Sequence, residues 1–268
     1  MTRIAEAFKT ARREGRAAFV PYVTGGDPTL QRTVELAGAL ERAGADVLEL
    51  GVPFSDPMAD GPTNQRAAER ALASGASLKR ILETVREIRS QSDLAIVLFT
   101  YANPVVRFGI DRFAEHAAAS GVDGVLFTDV PAEEMDRFTT ALRPAHLDAI
   151  MLVTPTSTKA RMKAAAKFGG GFLYLVSRTG VTGAREDLDH GLAANVQLAR
   201  KASKLPVAVG FGISTPEQVA KVASIADGVV VGSAIVNQIA DEGDTNVLAA
   251  RIEAYADPLA QACRRKPL

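Results

Sequence analysis

The sequence predicts a (β/α)8 TIM barrel, a closed ring of eight parallel strands surrounded by helices, as a single domain over residues 1–268. Eight short runs are almost continuously apolar, which is typical of parallel strands that are covered on both faces. A turn and a segment of helical periodicity follow each run, and no linker or shift in composition divides the chain. The first turn, Thr24-Gly25-Gly26-Asp27-Pro28, lacks the glycine fingerprint of a doubly wound dinucleotide-binding sheet. The barrel is therefore favoured.

The apolar runs are expected to be the strands, and they span residues 18–23, 46–51, 95–101, 124–129, 149–154, 172–177, 207–211 and 228–232. The segments between them carry helix signals. After the first run, Asp27 can cap a helix with Pro28 at its first position. An apolar stripe of helical period follows, formed by Leu30, Val34, Ala37 and Leu40. After the seventh run, Thr215-Pro216-Glu217-Gln218 has the pattern of a capping box.

Charge and composition argue against several classes of protein. The 31 basic and 31 acidic residues cancel, which disfavours a general nucleic-acid surface. Residues 1–16 are charged throughout and lack the apolar centre of a signal peptide. No apolar run approaches the roughly 18 residues that span a bilayer. The single cysteine, Cys263, cannot form an internal disulfide. We therefore expect a cytoplasmic protein that interacts with neither nucleic acid nor membrane.

Residues at the carboxyl ends of the strands are the candidates for function, because barrels carry their chemistry there. This rule selects side chains and glycines from six of the eight units: Glu49, Asp60, Tyr101, Asn103, Asp129, Tyr174, Arg178, Phe211, Gly212, Gly232 and Ser233.

A carboxylate within an apolar strand is the most informative feature. Glu49 lies in the run 46–51, and the following loop, rich in Pro, Ser and Asp, carries Asp60. An unpaired charge is costly in an apolar interior, and such a group usually becomes neutral through a shifted pKa. Glu49 and Asp60 are therefore a candidate pair for proton transfer. The alternatives are a structural acid held by a hydroxyl or amide for Glu49, and a turn cap for Asp60.

Other polar residues allow two interpretations each. Tyr174 shares a strand face with Phe172 and Val176, so it either donates its hydroxyl to an inward-facing carboxylate or only packs. Asp129 is either a site residue or a cap for the helix that begins near Pro131, and we favour a cap or an interface role. The sequence has no HExxH, paired CxxC, P-loop or GxGxxG motif, so it predicts no metal and no nucleotide.

Glycine-rich turns after the last two strands predict a phosphate site. Gly210-Phe211-Gly212-Ile213-Ser214 follows strand seven, and Gly232-Ser233 opens a short apolar helix after strand eight. Barrels commonly hold a phosphate between these two loops, where backbone N–H groups and the helix dipole favour an anion. The loop Gly180-Val181-Thr182-Gly183 after strand six can add a further N–H. The alternative is that the glycines only form tight turns.

These residues resemble the tryptophan synthase α subunit family, and the resemblance runs through the whole chain. It is carried most specifically by Leu48-Glu49-Leu50-Gly51-Val52-Pro53-Phe54-Ser55-Asp56-Pro57-Met58-Ala59-Asp60-Gly61. Further matching motifs are Pro21-Tyr22-Val23-Thr24-Gly25-Gly26-Asp27-Pro28, Tyr101-Ala102-Asn103-Pro104, Pro155-Thr156-Ser157-Thr158, Tyr174-Leu175-Val176-Ser177-Arg178-Thr179-Gly180-Val181-Thr182-Gly183 and Gly210-Phe211-Gly212-Ile213-Ser214.

The resemblance implies retro-aldol cleavage of indole-3-glycerol phosphate to indole and glyceraldehyde 3-phosphate. It implies that Glu49 is the general acid and base, that Asp60 accepts the indole N–H, and that Tyr174 orients or shields Glu49. The implied phosphate-binding residues are Gly183, Gly212, Gly232 and Ser233, and the implied walls of the indole pocket are Tyr22, Phe99, Leu126 and Phe211.

The resemblance also implies a partner, a tryptophan synthase β subunit in an α2β2 heterotetramer, which receives indole and condenses it with serine. Pyridoxal phosphate is expected in that β subunit, and no cofactor is expected in this chain. The loop with Ser55, Asp56 and Pro57, together with the Asn103-Pro104 turn, resembles the docking surface.

Two residues depart from the family's usual pattern, and several other functions stay open. Asn64 stands where an aliphatic residue is usual, and Thr128 where proline or alanine is usual. The alternative functions are a stand-alone indole-3-glycerol-phosphate lyase, another phosphosugar-processing barrel, and a mainly allosteric subunit. An indole-glycerol-phosphate synthase is disfavoured because no lysine lies at a strand end.

Overall fold

Eight parallel strands, each hydrogen-bonded to the next, close into a barrel in which the last strand pairs with the first. A computed structural model describes residues 2–176, 187–210 and 212–265. The strands are β1 (Ala18–Thr24), β2 (Val47–Gly51), β3 (Ala95–Thr100), β4 (Gly124–Phe127), β5 (Asp148–Val153), β6 (Leu173–Val176), β7 (Val207–Gly210) and β8 (Gly228–Val231). The predicted (β/α)8 barrel is confirmed, and each strand lies within two residues of its predicted bounds.

Helices follow the strands and form the outer layer of the barrel. The described helices are α1 (Arg3–Arg13), α2 (Leu30–Arg42), α3 (Pro62–Ala73), α4 (Leu78–Arg89), α5 (Ala102–Phe108), α6 (Ile110–Ser120), α7 (Asp136–Leu142), α8 (Lys159–Phe168), α9 (Asp187–Ala202), α10 (Pro216–Ala223), α11 (Ser233–Glu242) and α12 (Leu248–Ala262). A short 3-10 helix spans Ala132–Glu134. Within the described part of the chain, no helix is both long and apolar enough to cross a membrane.

The two predicted helix starts have different outcomes. The capping box at Thr215 is confirmed, with Gln218 bonding back to the cap. The prediction that Asp27 caps α2 is wrong, because Thr29 caps that helix. Asp27 instead accepts two 2.8 Å hydrogen bonds from the guanidinium of Arg70 on α3. A buried carboxylate needs such a partner more than a helix end needs a second cap.

Strand side chains alternate between two cores. The outward set packs beneath the helices, and on β2 it includes Leu48 and Leu50. The inward set fills the barrel and includes Val47, Val97, Ile150 and Phe172. Helix α1 lies across the amino-terminal end of the strands and adds to this interior Ile4, Phe8 and Ala11. The ring centroids of Phe8 and Phe172 are 5.2 Å apart, so apolar packing closes that end of the barrel.

Candidate active site

Glu49 faces the barrel interior near the carboxyl end of β2. Val47, two residues earlier, belongs to the interior cluster, and alternation along a strand places Glu49 on the same face. Its strand neighbours in register are Tyr22 on β1 and Val97 on β3. The side chain is almost fully buried, with 1 % of the residue exposed. The acid predicted from the sequence is therefore buried inside the barrel, close to its mouth.

The electrostatic environment of Glu49 favours the protonated acid. Its Oε1 atom is buried and has no hydrogen-bond partner among the residues that the structure describes. Burial raises the pKa of Glu49 from 4.5 to about 8, because the charged form loses its solvation. At neutral pH this carboxyl group is protonated in most molecules and can donate that proton. A structural acid held by a hydroxyl or amide, the alternative interpretation, does not fit an unpartnered oxygen.

Two buried tyrosines lie near this carboxyl group. Tyr22 extends from β1 and Tyr174 from β6, and both are buried. Burial raises the pKa of each phenol, and the nearby carboxylate of Glu49 adds to the increase. Tyr174 lies with Phe172 in the interior cluster, so it points inward, but no hydrogen bond from its hydroxyl to Glu49 is found among the described residues.

Each tyrosine ring occupies space that a glycine on a neighbouring strand leaves open. A Cβ atom at Gly51 would lie 2.8 Å from Cζ of Tyr22, and a Cβ at Gly210 would lie 2.8 Å from Cζ of Tyr174. Real Cβ atoms do not approach other atoms so closely. Glycine at these two positions therefore allows the rings to lie across the mouth of the barrel.

Asp60 lies in the loop between β2 and α3, and Tyr101, the residue that follows β3, holds its carboxylate. The hydroxyl of Tyr101 donates a 2.7 Å hydrogen bond to Oδ2 of Asp60 and accepts a 3.1 Å bond from the N–H of Ala59. The alternative role of Asp60 as a turn cap is not observed, because its carboxylate accepts from the side chains of Tyr101 and Asn64 and from no backbone N–H among the described residues. The bond from Tyr101 ties the Asp60 carboxylate to the carboxyl end of β3.

The charge state of Asp60 depends on opposing influences. Burial raises its pKa, while hydrogen bonding by Tyr101 and by the amide of Asn64 works against that rise. The negative charge of Asp60 also raises the pKa of Tyr22, as that of Glu49 does. Tyr22 therefore lies close enough to both acids to be affected by each. The two carboxyl groups thus differ, since hydrogen-bond donors support the anionic form of Asp60 and none is found for Glu49 among the described residues.

Asn64, on the first turn of α3, also carries a buried polar atom without a partner. Its Oδ1 and the Oε1 of Glu49 are the two such side-chain atoms found in the described residues. Buried polar groups normally have partners, so an orphaned oxygen next to Asp60 identifies a place where a ligand donor can bind.

Apolar and aromatic side chains adjoin the acids. The rings of Tyr22 and Phe99 pack edge to face with centroids 5.2 Å apart. Leu126 on β4 is level with Phe99 in register and fully buried in the interior cluster. The structure therefore brings together three of the four predicted pocket residues. The fourth, Phe211, lies outside the described residues.

The carboxyl end of β8 leads directly into α11. Gly232 is the cap residue and Ser233 the first residue of that helix, and no side chain caps it. A Cβ at Gly232 would lie 3.5 Å from Cβ of Tyr22, so this helix start adjoins the pocket. Gly212 has a φ of +74°, a conformation suited to glycine in a tight loop. Gly183, the remaining predicted phosphate-binding residue, lies outside the described residues.

Two further features of the site were not predicted in these roles. Tyr101 was selected only as a strand-end residue, and its bond to Asp60 depends on the path of a loop. Asp129 accepts a hydrogen bond from the N–H of Ala102 at the start of α5, and it does not cap the helix near Pro131 as was expected. In the described parts of the chain, no three His, Cys, Asp or Glu side chains cluster as metal ligands do.

Comparison with known proteins agrees with this arrangement. The family model described as tryptophan synthase alpha chain matches residues 8–264. The tryptophan synthase alpha chain of Solibacter usitatus is 49 % identical over 259 residues, which are 97 % of each chain. That of Geobacter sulfurreducens is 51 % identical over 236 residues, covering 88 % of this chain and 89 % of the relative. The crystal structure of tryptophan synthase subunit alpha from Legionella pneumophila superposes with a TM-score of 0.90 at 38 % identity and covers 98 % of both chains. This chain belongs to the tryptophan synthase alpha chain family.

Proposed function

We propose that this chain cleaves indole-3-glycerol phosphate to indole and glyceraldehyde 3-phosphate. The observation that carries the proposal is Glu49, a buried carboxyl group at the barrel mouth with a pKa of about 8 and an oxygen without a partner in the described structure. Membership of the tryptophan synthase alpha chain family supports the same reaction.

The reaction requires one proton to be added and another to be removed. A proton must reach C3 of the indole ring, which makes the ring a positively charged indolenine. The hydroxyl on the adjoining side-chain carbon must lose its proton and become an aldehyde. As the carbon–carbon bond breaks, its electron pair returns to the ring and restores neutral indole. The proton count therefore balances within one turnover.

Glu49 is suited to both proton transfers. Protonated at neutral pH, it acts as the acid toward C3, and the carboxylate that remains is a strong base because burial disfavours its charge. It then accepts the hydroxyl proton and returns to its starting state. Positioned acid–base groups contribute roughly 10²–10⁴ in rate, so the loss of Glu49 removes most of the activity.

Asp60 has a different task, which is to stabilise positive charge. Its carboxylate accepts a hydrogen bond from the indole N–H as the indolenine forms. Tyr101 supports the anion by donating at 2.7 Å, and the Asn64 amide works in the same direction. A preorganised anion in a half-buried site favours a developing cation more strongly than water does.

The remaining groups hold the two ends of the substrate. Tyr22, Phe99 and Leu126, with Phe211, form the apolar contact with the indole ring, and Tyr174 orients or shields Glu49. The uncapped start of α11 at Gly232 and Ser233, with Gly212 and Gly183, binds the phosphate through N–H groups and the helix dipole. The Ser233 hydroxyl adds one donor.

We further propose a tryptophan synthase β subunit as the partner, in an α2β2 assembly. The loop after β2 supports this surface, since the Met58 side chain is 92 % exposed and adjoins the exposed Ser55 and Asp56. The tip of this loop is therefore accessible to a partner. Pyridoxal phosphate belongs to the β subunit in this proposal, and this chain needs no cofactor for the retro-aldol step.

The test is indole release from indole-3-glycerol phosphate by the purified chain, with and without a β subunit. We expect slow release that rises sharply when β is added. The Glu49→Gln variant should lose roughly 10²-fold or more, whereas Glu115→Gln, on the exposed face of α6, should keep wild-type activity. Unchanged release by Glu49→Gln would show that Glu49 is not the acid–base group. Fast release without β would favour a stand-alone lyase.

A further inference from the structure

A second cavity lies at the opposite end of the barrel from Glu49. It is bounded on one side by α1 and on the other by the segments that lead into β5, β6, β7 and β8, and its volume is about 1130 Å³. Binding pockets for small molecules typically measure about 300–1,000 Å³, so this space admits a ligand of nucleotide size. No step of the proposed reaction uses it.

Basic side chains outnumber acidic ones in the lining of this cavity. Six basic residues line it, against two acidic ones, Asp148 and Asp227; the basic residues are Lys9, Arg12, Arg16, Arg200, Lys204 and Arg265. The chain as a whole has 31 residues of each sign. The excess of positive charge is therefore local to the cavity.

Some of these cations already have acidic partners. Arg16 is paired with Asp46, and Arg200 donates to Asp227 at 2.8 Å. Lys9 lies 3.5 Å from Glu6 on the exposed side of α1. These pairs account for three of the six positive charges. Asp148 is engaged by the hydroxyl of Thr2 at 2.7 Å and by no cation within the described ranges.

The other three cations have no carboxylate partner within residues 2–176, 187–210 and 212–265. Arg12 and Lys204 make no ion pair there. Arg265 donates to the backbone carbonyls of Ala223 and Ala226, at 3.0 and 2.8 Å, which fixes the guanidinium but leaves its charge uncompensated. A fixed arginine and two free cations around one cavity match the requirements of an anion with several charged oxygens.

Two features of the chain form the lining of this cavity, the regular spacing of residues along α1 and a set of apolar residues beside them. Thr2, Ala5, Lys9 and Arg12 recur at the spacing that places them on one face of α1, and all four line the cavity. Phe8, Leu205 and Pro206 supply apolar surface beside them. A compact ligand can thus rest on apolar surface while its charged groups reach the cations.

We propose that this cavity is a binding site for a small polyanion that carries phosphate or carboxylate groups. The site is separate from the proposed phosphate site at α11, because the interior side chains of the barrel lie between them. The proposal does not depend on the retro-aldol reaction, and either can fail without the other.

The test is isothermal titration calorimetry of the full chain with inorganic tripolyphosphate and, in a separate arm, with citrate. Saturating glycerol phosphate is present to occupy the mouth, and the ionic strength is about 0.15 M so that diffuse attraction is screened. The variant is R12E/K204E, and its matched control is R13E/K201E. The control reverses two exposed charges on the same stretches of chain that do not line the cavity. Thermal unfolding verifies that both variants fold.

We expect at least one of the two anions to bind the wild-type chain and the control with affinities within about twofold. R12E/K204E should weaken that binding roughly tenfold or more, because attraction becomes repulsion at two positions. Binding of tripolyphosphate alone identifies a phosphate ligand, and binding of citrate alone a carboxylate ligand. Absence of binding by both anions, or equal weakening in the two variants, would overturn the proposal.

Discussion

Tyr101 and Asp60 are joined by a 2.7 Å hydrogen bond from the phenol to Oδ2 of the carboxylate. The same phenol accepts the N–H of Ala59, so a single side chain from the end of β3 holds two consecutive residues of the loop after β2. A carboxylate on a loop without secondary structure thereby gains a position relative to the rigid barrel. This relationship makes Tyr101 a positioning residue for Asp60.

Replacing Tyr101 by phenylalanine should therefore lower kcat/KM for indole release. A hydrogen bond to a charged group contributes about 1.5–3 kcal/mol, which corresponds to a roughly 10- to 100-fold loss. The measurement is steady-state indole release by Tyr101→Phe, Asp60→Asn and the double variant. If the phenol acts through Asp60, the double variant should be little worse than Asp60→Asn alone. Fully additive losses would mean that Tyr101 acts independently of Asp60.

The activity should depend on pH through Glu49. Because the proposed acid must be protonated and its pKa is about 8, kcat/KM should fall about tenfold per pH unit above that value. On the acid side, activity should fall as Asp60 becomes protonated, and burial moves this loss above the usual range of an aspartate pKa. A profile that stays flat well above pH 8 would contradict the proposed role of Glu49.

The same group should make stability depend on pH. In the unfolded chain Glu49 releases its proton near pH 4.5, but in the folded chain only near pH 8. Between these values the folded state holds one more proton than the unfolded state, so the free energy of unfolding decreases as pH rises. The accumulated loss is on the order of 5 kcal/mol.

Glu49→Gln removes this titratable group. The free energy of unfolding of the variant should therefore fall less between pH 4.5 and about pH 8 than that of the wild-type chain. Denaturant unfolding of wild type and variant on both sides of the range measures the difference. We expect the variant to gain stability relative to wild type as the pH increases. A constant difference between the two proteins would show that Glu49 has an ordinary pKa in the folded state.

Gly51→Ala should disturb the barrel mouth through Tyr22. The added Cβ would come within 2.8 Å of the ring, and such overpacking costs about 1–3 kcal/mol. The matched control is Gly191→Ala in α9, where an added Cβ meets nothing within 4 Å and alanine favours the helix by about 0.5–1 kcal/mol. Unfolding by denaturant compares the two variants. An equal effect of both changes would mean that the Tyr22 ring does not constrain position 51.

The order and type of the strands could be predicted because each is a short apolar run bounded by turns. Glu49 could be identified for the same reason, since a charge interrupts a pattern that is otherwise apolar. The start of α2 was predicted incorrectly at Asp27 because local cap chemistry gives no sign of Arg70, which is distant in sequence. Tertiary pairing outweighed a local preference there.

Less of the site's internal arrangement could be predicted. The bond between Tyr101 and Asp60 depends on the fold of an irregular loop, for which periodicity carries no information. The Tyr22 ring has room because residue 51 is glycine, and this relation can be recognised only when the register of β1 and β2 is known. Asn64 stands where an aliphatic residue is usual in the family, but whether its side-chain oxygen has a partner depends on the positions of neighbouring atoms.

Ile4 and Phe8 close the amino-terminal end of the barrel with apolar side chains. A molecule that contacts Glu49 cannot pass along the barrel axis, so entry and departure take place at the same end, where the strands finish. In the proposed reaction, substrate, aldehyde and indole share that route. In the proposed partnership, a second protein that collects indole must therefore dock at the mouth, while a polyanion at the proposed site beside α1 can influence turnover only through the packed side chains between the two ends.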